Sequence, residues 1–547
     1  MGHGEAIMRC QECNGDNEPG SRFCGFCGQP LPASLTAEPA TAVRDGWTWD
    51  NQQSRAPKQP LPAAGPPPPS GRKPRTDATG LATTRWLCAA VTLDPELERR
   101  VLDEVLEEQQ RAVVTTPGVD LVTVLKYALA AHRRRVTRDI ILLVDLLALI
   151  LTVIFFRSFP LFVVLLLAAW VTVFTHRYIG QYGPVISGLR PGRFDPRKVN
   201  SPPPDSFAGR QLQRIAAAGT TGNVTLYSGF APFRGYGTAR SNWSFAVDIT
   251  RAPASMTRPG QRGQPRAFSA LDVYDSVKAG LRGLDLTGVE LTDRLFVNGR
   301  DIHDDRRFLP EPGGAPVTSI GPELMRQLLA VPEEWARPYL TISMTTWQGD
   351  LVVTTFIRFL VSGTDLFVEA AHSVVPPLRA EFKVVDEREP GADASEFFSL
   401  AARTLVSTLP RLLGSVPGII HELGADARRE KKRRRVEETR DYGALVSVRE
   451  LAADTKWQRY FQIFDDERFV KVIEQRIFRS LIEFLKEHNV DTSSLESRAE
   501  MLINNGVIFG DNADIKESQV GGAGSRLAGL VPRARGGESA RSAEGAS

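Results

Sequence analysis

Two apolar runs, 140–156 and 159–175, stand back to back along the chain, separated only by Arg157 and Ser158. A hydrocarbon core about 30 Å thick takes about 20 apolar residues as a helix, with about 17 as the lower bound. The pattern therefore predicts a two-helix transmembrane hairpin over 139–176. Cations crowd its flanks: Arg133, Arg134, Arg135 and Arg138 before it, and His176, Arg177, Arg190, Arg193, Arg197 and Lys198 after it. The turn carries one cation, Arg157. Positive flanks stay on the cytoplasmic side, which predicts an integral plasma-membrane protein with both termini in the cytoplasm. A buried hairpin in a soluble core and a re-entrant hairpin are the alternatives, since both runs are short. Asp145 interrupts the first run, and a carboxylate at that depth needs a partner or a proton. Thr172 or Thr175 is the expected partner. The polar, Cys-rich start is unlike a secretory leader, so insertion is expected to use the internal spans.

Outside these runs the pattern changes period. Asp94-Pro95 opens a helix with Leu97, Val101, Val105 and Leu106 at helical spacing. A second helix over 119–135 completes a set of membrane-proximal helices within 83–138. After Pro202-Pro203-Pro204 come predicted helices at 207–218, 268–284 and 322–329 and strands at 224–227 and 243–249. Asn298-Gly299 predicts a tight hairpin over 293–302. The runs 339–347, 351–361 and 365–375 are β-branched and separated by Gln348-Gly349-Asp350 and Ser362-Gly363-Thr364. They predict a three-stranded antiparallel meander. An amphipathic helix over 395–413 is expected to cover one sheet face, giving a cytoplasmic α+β domain over 205–425. Phe469, Val472, Ile473, Ile477, Leu481 and Phe484 form a broad apolar face. That face and a capping box at Ser493–Glu496 predict a small helical module over 441–515, suited to docking or self-association.

A chain of 547 residues predicts several domains. Its net charge of +3 hides local asymmetry. The Pro-rich stretch 33–82 and the Gly/Ser/Arg-rich tail 516–547 hold too little apolar surface to offset ordering entropy and read as disordered. Arg428, Arg429, Lys431, Lys432, Arg433, Arg434 and Arg435 make a basic segment within 426–440. It suits anionic lipid headgroups, nucleic-acid phosphates, or an exposed helix balanced by Glu437 and Glu438. Lipid is preferred over nucleic acid, because the anchor holds this segment near the inner leaflet.

Four of the five cysteines form two CxxC knuckles, Cys10 with Cys13 and Cys24 with Cys27, ten residues apart. Four thiolates satisfy tetrahedral Zn²⁺ and leave no position open for water. With Asn17, Gly20, Phe23, Gly28 and Leu31, this stretch resembles the short zinc-ribbon family found at the N-termini of many bacterial membrane and regulatory proteins. Gln11 and Asn14 depart from that family's usual Pro and Gly. The resemblance covers residues 8–31 and implies a structural zinc ribbon over 1–32; the remainder resembles no characterised family. Cys88 stands alone beside Trp86 and Leu87 and reads as a packed core thiol.

Catalytic signatures are weak. The Gly-rich stretch 229–237 lacks the spacing and Lys of a phosphate loop, and a strand-connecting loop is the simpler reading. Asp301, His303, Asp304 and Asp305 suit a metal or an acid–base pair, but Arg306 and Arg307 beside them suit a salt-linked turn. His372 is expected to be packed in a strand. These features predict a non-enzymatic, membrane-anchored adaptor. The alternatives are a ligand sensor or enzyme using the central domain, and a nucleic-acid binder using the ribbon and basic run.

Overall fold

The computed structural model describes residues 78–504, apart from 254–263, 284–287, 388–390 and 392, together with a short antiparallel pair, β1 (Met8–Arg9) and β2 (Asp16–Asn17). The chain divides at Gly71 into two units. Apart from β1 and β2, the expected ribbon with Cys10, Cys13, Cys24 and Cys27 lies outside the described residues. So do nearly all of the linker and the whole tail over 516–547.

In the second unit six helices come first: α1 (Ala78–Leu93), α2 (Pro95–Val101), α3 (Leu121–Leu151), α4 (Phe159–Tyr182), α5 (Pro184–Gly188) and α6 (Phe207–Thr221). Six strands follow: β3 (Val224–Tyr227), β4 (Thr238–Asp248), β5 (Val289–Asn298), β6 (Ala336–Thr346), β7 (Leu351–Ser362) and β8 (Asp365–Val375). Helices α7 (Ala270–Arg282) and α8 (Pro322–Ala330) fall between them. The chain then forms α9 (Ala380–Lys383), α10 (Ala394–Leu423), α11 (Ala425–Thr439), α12 (Val448–Leu451), α13 (Tyr460–Glu487) and α14 (Ser493–Asn504).

The strands make one mixed sheet in the order β3-β5-β6-β7-β8-β4, with β3 parallel to β5 and every other pair antiparallel. The predicted meander is β6–β7–β8. The predicted hairpin over 293–302 is absent. Asn298-Gly299 ends β5 instead, and β5 pairs with β6 across a long connection. Gly299 is required there because a Cβ would strike the backbone of Gly443.

Alternation along the strands gives the sheet two unlike faces. Leu295, Val297, Leu340, Ile342, Val353 and Ile357 point to one side and share a core with Val277 of α7 and with Phe469, Ile473, Ile477 and Leu481 of α13. Helix α13 was expected in a module standing apart. It covers the sheet, in the place the sequence assigned to 395–413. A second core joins α1, α2, the first half of α3 and α6 through Leu87, Leu97, Val124, Leu125 and Ile215. Cys88 sits there fully buried, and burial pushes its thiol well above the ordinary range.

Among the described residues one stretch, Phe159–Gly188, is long and apolar enough to cross a membrane, with a mean hydropathy of 2.0 and 11% of its window buried. The two-span expectation is thereby reduced. The run 140–156 takes in the far part of α3 and the π-helical turn Thr152–Phe156 after it; α3 is a 31-residue helix whose near half belongs to the second core and which carries Arg133 to Asp139 and Asp145 along its length. A turn at Arg157, with φ of 44°, reverses the chain into α4. Thr172 does not hold Asp145; its hydroxyl donates to Ala168 O at 3.0 Å.

Helix α10 packs on α3 and α4. Leu400, Thr404, Thr408, Leu412 and Ser415 are its buried face. These small side chains let the helices approach closely, and Gly418 lies against Asp139. Trp170 Nε1 donates to Ala401 O at 3.3 Å. Leu405, Val406, Leu409, Leu413, Ile420 and Leu423 form a second, exposed apolar stripe.

Candidate functional site

The second face of the sheet is polar and aromatic. Glu290, Thr292 and Arg294 of β5 alternate with core residues, and Thr341 and Ser343 of β6 and Thr354 of β7 continue the row across the sheet. Ser343 and Thr354 hydroxyls are 3.1 Å apart. Beside the row, Phe233 stacks on Phe356 with centroids 3.9 Å apart, and Tyr236 and Phe296 pack edge-on against the pair. Farther along, Glu369 accepts from Tyr339 at 2.9 Å and from Arg358 at 3.1 Å.

A cavity of about 550 Å³ opens between this face, helix α6 and the segment 115–122 that leads into α3. This volume is in the range of small-molecule sites. Arg294 is the only cation among its lining residues. Its guanidinium lies 5.8 Å from the Tyr236 ring centroid. Among the described residues its buried Nε has no hydrogen-bond partner, and Nη1 reaches Thr225 Oγ1 at 3.5 Å. Thr341 Oγ1 is likewise buried and unpartnered. Such groups are costly unless something pairs with them. Burial raises the Tyr236 phenol above its ordinary value, and nearby Arg294 offsets part of that rise. The N-terminus of α3 is already capped: Asp120 accepts from Thr123 N at 3.1 Å, and its own N–H donates to Thr84 Oγ1 at 3.0 Å. Arg294 is therefore the free positive group. A planar guanidinium fork suits a carboxylate or phosphate, and exposed Glu290 at the rim suits a donor on the same ligand.

The residues singled out from sequence fall elsewhere. The Gly-rich stretch does cradle an anion, but the anion belongs to the chain. Gly235 N and Gly237 N donate to Glu450 Oε1 at 2.8 and 2.9 Å. Burial raises the Glu450 carboxyl above its ordinary value, against the pull of those N–H groups and Arg234. Both glycines have positive φ, and a Cβ on Gly237 would strike Val374 O. Asp305 is tied to Arg307, which also reaches Glu333 at 2.9 Å, so this cluster is a salt-linked turn. His303 Nε2 lies 3.7 Å from Asp304.

His372 is enclosed at 1% exposure, with Thr355 Oγ1 3.0 Å from Nδ1 and Glu474 Oε1 3.0 Å from Nε2. Trp243 Nε1 donates to the same carboxylate at 2.7 Å. This hydroxyl–imidazole–carboxylate row clamps α13 to the sheet and lines none of the cavities described. Among the described residues no group of three or more His, Cys, Asp or Glu side chains converges to hold a metal.

The basic segment is helix α11, and part of it is spent inside the fold. Arg428, Arg429 and Lys432 turn to Glu107, at 3.8, 3.6 and 3.4 Å. Arg429 also covers the Phe207 ring. Arg433 and Arg434 pair with Glu430, and Arg433 with Glu437.

Arg294, Ser343 and Tyr236 were not foreseen. The available signal was the alternation Glu290-Leu291-Thr292-Asp293-Arg294-Leu295, a strand pattern hidden behind the strong turn signal that follows it.

No curated protein and no solved structure matches the chain. One family does: the AbeC-like domain, over residues 242–515. This corrects the sequence reading twice. The family lies in the region for which no characterised family was expected, and no zinc-ribbon family was found at 8–31. The match takes in Glu290, Thr292, Arg294 and Ser343 together with α13, and it covers half of the chain. The chain belongs to the AbeC-like domain family.

Proposed function

We propose that this chain is a membrane-attached, non-enzymatic ligand-binding adaptor. Its α+β domain takes a small polar ligand bearing a carboxylate or phosphate into the cavity floored by Arg294. The observation that carries this reading is the buried, unpartnered Nε of Arg294 in a cavity of about 550 Å³. Thermal-shift titration with small dicarboxylates, inorganic phosphate and nucleoside monophosphates tests it. At least one probe is expected to saturate, and Arg294→Gln to weaken it about tenfold, the loss of one charge-assisted pair. Absence of any saturable probe sinks the reading.

Attachment uses α4 as a span, with the far half of α3 returning beside it as a hairpin and the exposed stripe of α10 as a third apolar contact. Arginine flanks keep both termini in the cytoplasm. Fractionation in alkaline carbonate decides: recovery in the soluble fraction removes the anchor. A role in gathering protein partners is supported by Tyr460, Phe461 and Phe464, an exposed aromatic cluster at the start of α13. Such residues dominate interface energetics.

A further inference from the structure

A second cavity, of about 500 Å³, opens where the middle of α3, around Arg133–Ile141, meets the C-terminal part of α4. Its two ends differ in chemistry. Arg133, Arg134, Arg135 and Arg138 stand at one end, while Ile141, Val171 and Ile179 lead from them onto the exposed apolar surface of the two helices. Carboxylates answer only half of the cations. Arg135 pairs with buried Glu98, and Arg138 with Asp139 at 2.6 Å. Arg133 and Arg134 have no ion-pair partner among the described residues, and Arg134 Nη1 is buried without a hydrogen-bond partner.

We propose that this cleft binds the headgroup of one anionic phospholipid, its phosphate on Arg133 and Arg134 and an acyl chain along Ile141 and Val171. The site rests on the membrane attachment proposed above. A free phosphate would meet the cations but leave the apolar half unfilled. A zwitterionic lipid would bring a cation of its own to an end that already has two in excess. Basic clefts between membrane helices on the cytoplasmic side suit such headgroups. The cleft is a better candidate than α11, where Arg428, Arg429 and Lys432 are already engaged by Glu107.

Native mass spectrometry of the full chain released from phosphatidylcholine nanodiscs, with or without phosphatidylglycerol, tests this. One phosphatidylglycerol is expected to stay on the wild type. Removing two cations with Arg133→Gln/Arg134→Gln is expected to lower its occupancy by at least about tenfold. Arg133→Lys/Arg134→Lys, which keeps the charge, and Lys431→Gln/Arg434→Gln on α11 are both expected to retain it. Equal retention by the Arg133→Gln/Arg134→Gln variant overturns the proposal, as does equal retention of phosphatidylcholine. Displacement of the lipid by inorganic phosphate assigns the cations to a soluble anion and overturns it too. Carbonate fractionation of the same preparations separates the two failures. A chain that pellets but holds no lipid loses only this site, whereas a chain in the soluble fraction loses the anchor and the site together.

Discussion

The two faces of the six-stranded sheet are made by the same strands and closed in different ways. One face is apolar and sealed by α7 and α13. The other carries Thr292, Arg294, Thr341, Ser343 and Thr354 beside an aromatic cluster, and the helices above it leave a cavity. The first face is close-packed and holds the fold together. The second packs its aromatic cluster but keeps Arg294 and its polar neighbours in a half-closed space.

Four substitutions bear on this difference. The largest effect is expected on the sealed face, where Ile357→Ala removes a fully buried side chain and should lower stability by about 2–5 kcal/mol. A loss below about 1 kcal/mol in urea unfolding would mean that this face is not the principal core. Next comes Glu450→Ala, which strands the N–H groups of Gly235 and Gly237 and should cost about 1–3 kcal/mol. Hydrogen exchange at those two amides should rise together. On the open face, Arg294→Leu removes a cation with no anionic partner among the described residues. Its stability should match the wild type or exceed it by up to about 1 kcal/mol. A loss above about 2 kcal/mol would make Arg294 a structural residue and erase the contrast.

The smallest effect is a pH slope. The Glu450 carboxyl is raised in the folded chain, so the fold holds that proton more tightly than the unfolded chain does. Stability from this group therefore falls as pH rises from the ordinary glutamate range through the raised value. Glu450→Gln keeps an oxygen to accept both N–H groups and has nothing to titrate. Urea midpoints of the two proteins, compared from about pH 4 to 7, should differ in slope while staying close in size.

The parts legible in the sequence are those whose partners lie nearby along it. The meander was read correctly because β6, β7 and β8 are joined by short turns, and each strand carries its own β-branched pattern. Strand β5 was missed because its partners, β6 and β3, come from far along the chain, while Asn298-Gly299 imitates a local hairpin. The amphipathic character of α10 was visible, but a stripe shows only that a face is covered, not by what. Thr404, Thr408 and Ser415 on its buried side are small enough for helix-on-helix contact, which fits α3 and α4 better than a sheet. Along the sequence the basic block on α11 has Glu437 and Glu438 as its nearest counter-charges on one side. In the fold its inner side answers to Glu107, more than three hundred residues earlier. The cavity combines both difficulties, since residues 115–122 and Arg294 meet only through tertiary packing.

Helix α3 begins in the wall of the Arg294 cavity and runs without a break for 31 residues, about 46 Å at 1.5 Å per residue. In the proposed attachment, which seats its far end in a bilayer, the helix would be a stiff rod with both tips held. Force applied at either tip is felt at the other, and the coupling must be equal in both directions. Under that proposal, lipid thickness would bear on the affinity of the proposed ligand. Titrating one ligand in thin and thick bilayers measures that linkage, and identical affinities would show that the rod slips.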